Sequence, residues 1–339
     1  MKKLENKIPK NIIQSKKFSA LSDIVYSETV SKDDFSKINS KNVEIINKTN
    51  NKDYKTVTYR LKKFTIAEND IIFCHLDSLP ELFFQLQKIT KLSNLILITN
   101  QTDQAIDKSL YSKKPKCIKI WFSTNTTVES EDLRPIPLGI ANNYAKKNLS
   151  SESFNNIPKT SYKKSSMYIN FRESTNYKER SKLIRIFQNY DWVNISPANL
   201  DNSEYHNNLA NNTFVLCPWG NGVDTHRFWE VLYSGSIPIT KYHPTYKTAE
   251  KLPVLFVESY SQINQKLLDS FISKLDFTKQ EYEQLDMIYW ENKVFENKID
   301  LDTNEYVDIL ETKEETQLFV KNYVKRKNVA RKKKKIKYY

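Results

Sequence analysis

The sequence predicts an α/β protein with two doubly wound domains, each built around a parallel sheet. In both halves of the chain, short apolar runs typical of buried strands alternate with segments of helical spacing. The length of 339 residues and the hydrophobic fraction of 39% allow two domains, each with its own core. A stretch rich in Ser, Asn and Lys, residues 148–164, lies between the halves and predicts the domain boundary.

The first predicted domain spans residues 1–155, and about the first 55 of these are polar and rich in Lys, Asn and Ser. Its predicted strands are 24–26, 43–46, 71–75, 94–99 and 117–122, with a helix over 81–90. Two strands joined by a helix favour a parallel α/β unit. Ligands gather at the carboxyl ends of such strands, and His75 and Asp77 fall at one of these ends.

The second predicted domain spans residues 156–311 and follows the same alternation. Its predicted strands are 167–171, 192–195, 214–217, 236–240 and 253–257, and its predicted helices are 177–190, 202–211, 263–275 and 278–297. The loop after the first strand and the loop after residue 217 should open on the same sheet edge. We interpret the last of these helices as crossing back to the first domain.

One stretch, Phe214–Thr240, holds three of the four glycines of the chain. It is predicted as a strand, a loop with Gly220 and Gly222, a helix begun by Asp224 or Thr225, and a second strand. Gly235 suits the position just after the helix. Because glycine permits unusual backbone conformations and close approach of a ligand, this concentration of glycine predicts a binding site.

The predicted helix has an apolar face and a polar face, and the polar face includes His226, Arg227 and Glu230. A helix N-terminus after a glycine loop offers N–H groups to an anion, and arginine suits phosphate. Glu230, one turn deeper, could accept two sugar hydroxyls. The pattern is consistent with a seat for a nucleoside diphosphate, and equally with a surface ion pair between Arg227 and Glu230.

The stretch resembles the donor-binding motif of exostosin-type glycosyltransferases and their bacterial and viral relatives. The resemblance covers roughly residues 70–290, and a second segment, Arg134–Ala141, is also similar, although a rigid crossing between domains explains it equally well. The motif positions that match are Phe214, Leu216, Pro218, Gly220, Asp224, Thr225, Arg227, Glu230, Leu232, Gly235, Ile237 and Pro238. The resemblance implies the GT-B architecture, in which two Rossmann-like domains face a cleft.

The resemblance also implies a nucleotide-sugar-dependent transfer to a glycan or other hydroxyl acceptor, with no cofactor and no required metal. We expect these residues at the donor: Gly220, Asn221, Gly222, Asp224, Thr225, His226, Arg227, Glu230, Arg172, Asn176 and Arg180. Arg180 is equally consistent with a surface charge. Two alternatives stay open, namely a fucosyltransferase-like enzyme that uses a guanine nucleotide sugar, and a non-catalytic relative that binds glycan or nucleotide.

His75 and Asp77 are candidates for the general base that would accept the proton of the acceptor hydroxyl. The alternative is that Asp77 caps the following helix and His75 packs at the sheet edge. The one D-x-D sequence, Asp300-Leu301-Asp302, is far from the glycine loop, and we interpret it as a solvated turn and not as a metal site.

The formal net charge of +13 is concentrated at the C-terminus, where ten Lys or Arg and no acidic residue lie between Lys321 and Tyr339. We interpret residues 312–339 as a basic tail outside both domains, which an anionic membrane could attract. Residues after Val320 should then be dispensable for the fold. The rest of the chain is only mildly basic, which argues against nucleic-acid binding.

The sequence shows no secretory signal and no apolar run of membrane-spanning length, so we expect a cytoplasmic protein, at most peripheral to a membrane. Its three cysteines, Cys74, Cys117 and Cys217, have neither metal-ligand nor disulfide spacing. Each lies in or next to an apolar run, so we expect the three cysteines to be small buried residues.

Overall fold

The computed structural model describes residues 9–51, 54–144, 148–155, 165–276, 282–300 and 305–336. The strands are β1 (Ile24–Ser31), β2 (Val43–Asn50), β3 (Lys55–Leu61), β4 (Lys63–Ala67), β5 (Ile71–His75), β6 (Leu95–Asn100), β7 (Ile118–Ser123), β8 (Leu133–Pro135), β9 (Met167–Ile169), β10 (Val193–Ile195), β11 (Phe214–Leu216), β12 (Ile237–Lys241), β13 (Leu255–Val257) and β14 (Tyr306–Leu310). The helices are α1 (Ser15–Ala20), α2 (Lys32–Phe35), α3 (Leu79–Leu86), α4 (Lys108–Tyr111), α5 (Tyr177–Phe187), α6 (Asn202–Asn211), α7 (His226–Tyr233), α8 (Gln265–Lys274), α9 (Met287–Phe295) and α10 (Lys313–Ile336).

The chain forms two compact units, each assembled from separate segments. The C-terminal unit comprises residues 9–15, Thr124–Thr127 and Pro135–Asn292, and the N-terminal unit comprises Lys16–Ser123, Val128–Arg134 and residues 293–336. The segment 135–155, assigned from the sequence to the first domain, therefore lies in the C-terminal unit. Residues 293–311, assigned to the second domain, lie in the N-terminal unit.

The C-terminal unit contains a fully parallel five-stranded sheet in the order β10-β9-β11-β12-β13. Alternate residues of β11 pack into different clusters, since Val215 joins one hydrophobic core while Phe214 and Leu216 join another. A strand buried on both faces needs the continuous apolar run that the sequence shows here. The predicted α/β class with a parallel sheet is confirmed for this unit.

The N-terminal unit is built on a seven-stranded sheet in the order β2-β3-β1-β5-β6-β7-β8. The central strands β1, β5, β6 and β7 run parallel, and the sequence predicted this for β5, β6 and β7; β3 and β2 add an antiparallel edge beside β1. The short strands predicted at 24–26 and 43–46 are confirmed as β1 and β2. A separate two-stranded ribbon pairs β4 with β14.

The basic C-terminal segment is not a free tail, so the expectation that residues after Val320 are dispensable is wrong. Most of it forms α10, in which Phe319 and Tyr323 are buried. Arg326 donates to the Glu81 carboxylate at 2.7 and 2.9 Å, and Lys327 pairs with Asp77. Apolar residues four apart anchor the helix despite its charge.

The most basic part of α10 begins at Arg331, where side chains lie outside the described residues. Contact of this part with an anionic membrane stays a prediction. Among the helices that the structure describes, none has the length and apolar character needed to cross a bilayer. All three cysteines are buried and unpaired, as expected from their apolar surroundings.

Candidate functional site

The candidate site lies at the carboxyl edge of the C-terminal sheet, between β9 and β11. The strand that follows β9 in sequence, β10, lies on one side of it, while β11 lies on the other. Open α/β sheets bind ligands at such a switch point, because the two loops diverge and leave a crevice. The loops after Ile169 and Leu216 therefore frame the site, as the sequence predicted.

Arg180 fixes these two loops to each other. Its guanidinium donates to the carbonyl oxygens of Pro218 at 2.6 Å and Trp219 at 2.9 Å in the glycine loop. It also donates to the carbonyl oxygen of Arg172 at 3.2 Å and to the Thr175 hydroxyl at 2.6 Å in the loop after β9. With four of its five N–H groups used and only 6% exposure, Arg180 is a positioning residue. The structure thus gives it a different role from the predicted ligand contact or surface charge.

Burial and the nearby charge of Arg227 lower the pKa of Arg180 to about 10, which leaves it cationic at neutral pH. Asn176 supports the same loop, because its amide donates to the carbonyl oxygen of Trp219 at 3.2 Å. The Gly220 N–H donates to the Gly222 carbonyl oxygen at 3.0 Å, which closes the turn. In this turn Asn221 is exposed and Gly222 is buried.

Asp224 is also a positioning residue, because its carboxylate is buried and bonded to other parts of the chain. It is 3% exposed, and its two carboxylate oxygens accept from the Trp229 indole at 2.8 Å and the Leu138 N–H at 2.9 Å. Its own N–H donates to the Asn125 side-chain oxygen at 2.9 Å. Asp224 therefore joins the glycine loop to two segments that are distant in sequence, and its predicted role as a donor contact is not supported by this geometry.

Burial raises the pKa of Asp224 from 3.8 to about 7. The folded protein therefore retains this proton while the unfolded chain has lost it, so the free energy of unfolding should fall as the pH rises from 4 to 7. A shift of about three pH units corresponds to at most about 4 kcal/mol.

Asp224→Asn cannot ionise and should lack this part of the fall. We expect the unfolding free energy of the wild type, measured relative to that of Asp224→Asn, to fall from pH 4 to pH 7. Urea unfolding of both proteins at several pH values measures it, and the subtraction removes groups that the two share. Parallel pH curves would contradict the prediction.

The N-terminus of α7 follows the glycine loop and begins after Thr225. Thr225 takes the extended N-cap conformation, but its hydroxyl makes no capping bond. Within the described residues, this buried hydroxyl and the indole N–H of Trp219 lack hydrogen-bond partners. The first N–H groups of a helix also have no partner within the helix. The helix start thus leaves backbone N–H groups that can bind an anion.

Arg227 lies in the first turn of α7, beside the end of β9. Its guanidinium stacks over the Tyr205 ring with 5.5 Å to the centroid and lies 3.5 Å from the Asn170 side-chain oxygen. In the described part of the chain no carboxylate forms a salt bridge with it. Arg227 is thus a partly buried cation held in place by neutral groups, as an anion site requires.

Glu230 lies one turn deeper than Arg227 and is 5% exposed. One of its carboxylate oxygens accepts from the Tyr205 hydroxyl at 2.8 Å. A surface ion pair between Arg227 and Glu230, the simpler sequence interpretation, is therefore wrong. The carboxylate keeps lone pairs beyond this one bond, which sugar hydroxyls can use.

A backbone carbonyl group of the earlier segment Arg134–Ala141 orients the His226 ring. Its Nδ1 lies 2.8 Å from the carbonyl oxygen of Gly139. Because a carbonyl oxygen only accepts, Nδ1 must carry the proton, and Nε2 of the neutral ring is then an acceptor. Gly139 adopts φ +67°, and a Cβ there would lie 2.2 Å from the Ile13 carbonyl oxygen. The Arg134–Ala141 segment, whose role the sequence left open, thus supports the site through Leu138 and Gly139.

The candidate base residues lie in the N-terminal unit and are held by local contacts. His75 Nδ1 accepts from the Asp77 N–H at 3.3 Å, and burial lowers the pKa of His75 to about 4. The Asp77 carboxylate pairs with Lys327. His75 therefore caps the following turn, whereas the alternative that the sequence left open had Asp77 as the cap. The lowered pKa of His75 makes its ring a weak base near neutral pH.

Glu28 on β1, which the sequence analysis did not single out, is a buried carboxyl group with a raised pKa. It is 7% exposed and accepts from the Ser19 hydroxyl at 2.6 Å, and burial raises its pKa to about 7. The signal available in the sequence was a glutamate within a strand whose neighbouring residues on the same face are apolar. Asn170 and Tyr205 were also missed. Asn170 directly follows the end of β9, whereas nothing in the sequence indicated Tyr205.

In the described residues, no three His, Cys, Asp or Glu side chains lie close enough together to hold a metal ion. Asp302 of the D-x-D sequence lies outside the described residues.

No protein-family model and no curated protein matches the chain. Among solved structures, it is similar to a chain of the GtfA/B complex, with 13% identity and a TM-score of 0.32, and to an alpha1,3-fucosyltransferase, with 14% identity and a TM-score of 0.34. Each similarity covers 69% of this chain. The chain spans 55% of the GtfA/B chain and 78% of the fucosyltransferase chain. Similarity at this level leaves the functional conclusion to the residues of the site.

Proposed function

We propose that the protein is a nucleotide-sugar-dependent glycosyltransferase of the exostosin-like type, whose C-terminal unit binds the nucleoside diphosphate of the donor. The observation that carries the proposal is the position of Arg227. This guanidinium lies at the start of α7, next to the switch point of the sheet, and its described contacts are all with neutral groups. The resemblance of the Phe214–Thr240 stretch supports the same conclusion.

In the proposed reaction, the bond between the sugar C1 and the diphosphate oxygen breaks, and a bond from C1 to an acceptor hydroxyl oxygen forms. The acceptor's proton passes to a base, and the diphosphate leaves with additional negative charge. Arg227 and the N–H groups at the start of α7 would stabilise that charge, because they are fixed in place before the reaction. The Glu230 carboxylate would accept hydrogen bonds from the ribose hydroxyls. His226 Nε2 and the Thr225 hydroxyl would make the remaining contacts with the donor. Positioning and electrostatic stabilisation would supply the catalysis.

A thermal-shift screen with UDP, GDP and their sugar conjugates tests the proposal. A nucleoside diphosphate that binds only the folded protein raises the melting temperature. Release of free nucleotide from the stabilising nucleotide sugar then separates an enzyme from a non-catalytic relative. Preference for GDP-linked sugars would favour the fucosyltransferase-like alternative. If no nucleotide and no nucleotide sugar shifts the melting temperature, the proposal fails.

We further propose that transfer needs no metal ion. The expectation follows from the resemblance, and a cationic guanidinium at a helix N-terminus can stabilise a diphosphate without one. We expect full activity in EDTA, and Asp300→Ala should match the wild type. Loss of activity in EDTA that Mn²⁺ or Mg²⁺ restores would contradict this prediction.

A further inference from the structure

The C-terminal unit contains a polar pocket next to the start of α6, which no step of the proposed function uses. Its volume is about 150 Å³, and it is partly open to solvent. Amides and hydroxyls line it together with Leu149, and these polar residues are Asn142, Asn143, Asn148, Ser150, Ser153 and Asn202. We call it the asparagine pocket. A protein cavity of about 150 Å³ admits benzene, so a six-membered ring fits this volume.

The lining of the asparagine pocket selects for a neutral ligand rich in hydroxyls. Each amide side chain has two N–H donors and an acceptor oxygen, and each serine hydroxyl both donates and accepts. Among the residues that the structure describes, none of those lining the pocket carries a charge, although Glu152 follows nearby and its carboxylate bonds to Ser150. Among these described lining residues a phosphate would meet no cation, and an apolar group would meet only Leu149.

Much of the lining is already held in place by hydrogen bonds within the protein. Gln14 donates to the Asn143 side-chain oxygen at 3.0 Å, and Asn202 donates to the Asn148 backbone oxygen at 3.1 Å. The Asn148 side-chain amide itself makes no hydrogen bond within the described chain. A fixed wall with one uncommitted amide resembles a binding site that loses little entropy on binding.

The asparagine pocket lies at the same sheet edge as the candidate donor site. Asn202 is the first residue of α6, and Tyr205, one turn later, contacts both Arg227 and Glu230. Residues three apart lie on one face of a helix. The segment leading into α6 is anchored to the end of β9 by Asn170, whose amide donates to the carbonyl oxygen of Pro197 at 2.6 Å.

We propose that the asparagine pocket binds a single neutral sugar ring. The ring belongs either to the transferred sugar of the donor or to the acceptor glycan, since both present the same hydroxyl chemistry. The inference depends on the proposed function only for the two possible sources of this sugar. The pocket thus adds a sugar subsite to a nucleotide site one helical turn away.

The test compares the wild type, Asn148→Ala and Asn207→Ala as full-length proteins. Asn207 lies on the same helix as Asn202 but is exposed and outside the pocket, so it is the matched control. In the first arm, calorimetry measures Kd for UDP, GDP and their glucose and fucose conjugates. In the second arm, saturation-transfer NMR measures binding of free glucose, galactose, fucose and N-acetylglucosamine. Ser153→Ala tests a second part of the wall.

In one of the two arms, we expect the sugar's contribution to the binding affinity to be about fivefold smaller in Asn148→Ala than in the wild type, which is the effect of one lost hydrogen bond. Affinity for UDP and GDP alone should be unchanged, and Asn207→Ala should equal the wild type. An effect in the first arm assigns the pocket to the transferred sugar, and an effect in the second assigns it to the acceptor. Sugar binding equal in wild type, Asn148→Ala and Ser153→Ala, or absent from both arms, would overturn the inference. Failure of UDP and GDP to bind would instead count against the proposed function.

Discussion

Arg227→Ala should bind nucleoside diphosphates about 50-fold more weakly than the wild type. The change removes a fork of charge-assisted hydrogen bonds, which are stronger than neutral ones. Because the diphosphate gains charge as it leaves, the loss in kcat/KM should be larger, about 1,000-fold. Calorimetry and a nucleotide-release assay measure the two effects. Stability should change little, since Arg227 is only partly buried and makes no salt bridge with another described residue.

Two further variants sharpen this prediction. Arg227→Lys keeps the charge but loses the planar fork, so its affinity and activity should fall between those of the wild type and Arg227→Ala. Arg185→Ala removes an exposed arginine of α5 and should behave as the wild type. Unchanged diphosphate affinity in Arg227→Ala would show that the anion site has been assigned to the wrong residue.

Gly139→Ala should destabilise the C-terminal unit by about 4 kcal/mol. The positive φ of 67° is strained for alanine, and the added Cβ would lie 2.2 Å from the backbone oxygen of Ile13. Relief would require displacement of residues 12–14, which Tyr233 holds through a hydrogen bond of 2.9 Å from the Ile13 N–H to its hydroxyl. Chemical unfolding measures the loss.

Gly220→Ala is the matched control for the alanine substitution. A Cβ at Gly220 would lie 3.3 Å from an Arg180 side-chain nitrogen and 3.5 Å from a Thr225 methyl, so small shifts can accommodate it. We expect it to cost about 1 kcal/mol. Equal stability of the two variants would show that the contact between Gly139 and Ile13 does not constrain the fold. Gly139→Asn separates the two causes at Gly139, since asparagine tolerates positive φ but keeps the Cβ.

The sequence predicted the strand, loop, helix and strand of the central stretch, because each part depends on local signals. The apolar run forms β11, Thr225 is the N-cap of α7, and Gly235 takes φ +76° after the helix. The role of Asp224 could not be predicted in this way. Its partners Leu138 and Asn125 are 86 and 99 residues away, and only the folded chain brings them together.

The C-terminal helix shows how a strong composition signal can hide a weaker pattern. The charge of the segment indicated a solvated tail, yet Phe319 and Tyr323 are four residues apart and pack on one face of α10. The partners of Arg326 and Lys327 are about 250 residues away. Spacing could have predicted the helix, but not what it packs against.

The N-terminal unit needs residues from the end of the chain, and this determines when it can fold during synthesis. The ribbon partner of β4 is β14, and the buried Arg60 pairs with Glu311, 251 residues later. Until the ribosome has released this late segment, the Arg60 guanidinium lacks its partner, and an unpaired buried charge is costly. Domains usually fold in order of synthesis. In this chain all segments of the C-terminal unit, which end at Asn292, have emerged before residues 293–336 of the N-terminal unit, so the C-terminal unit should complete its fold first.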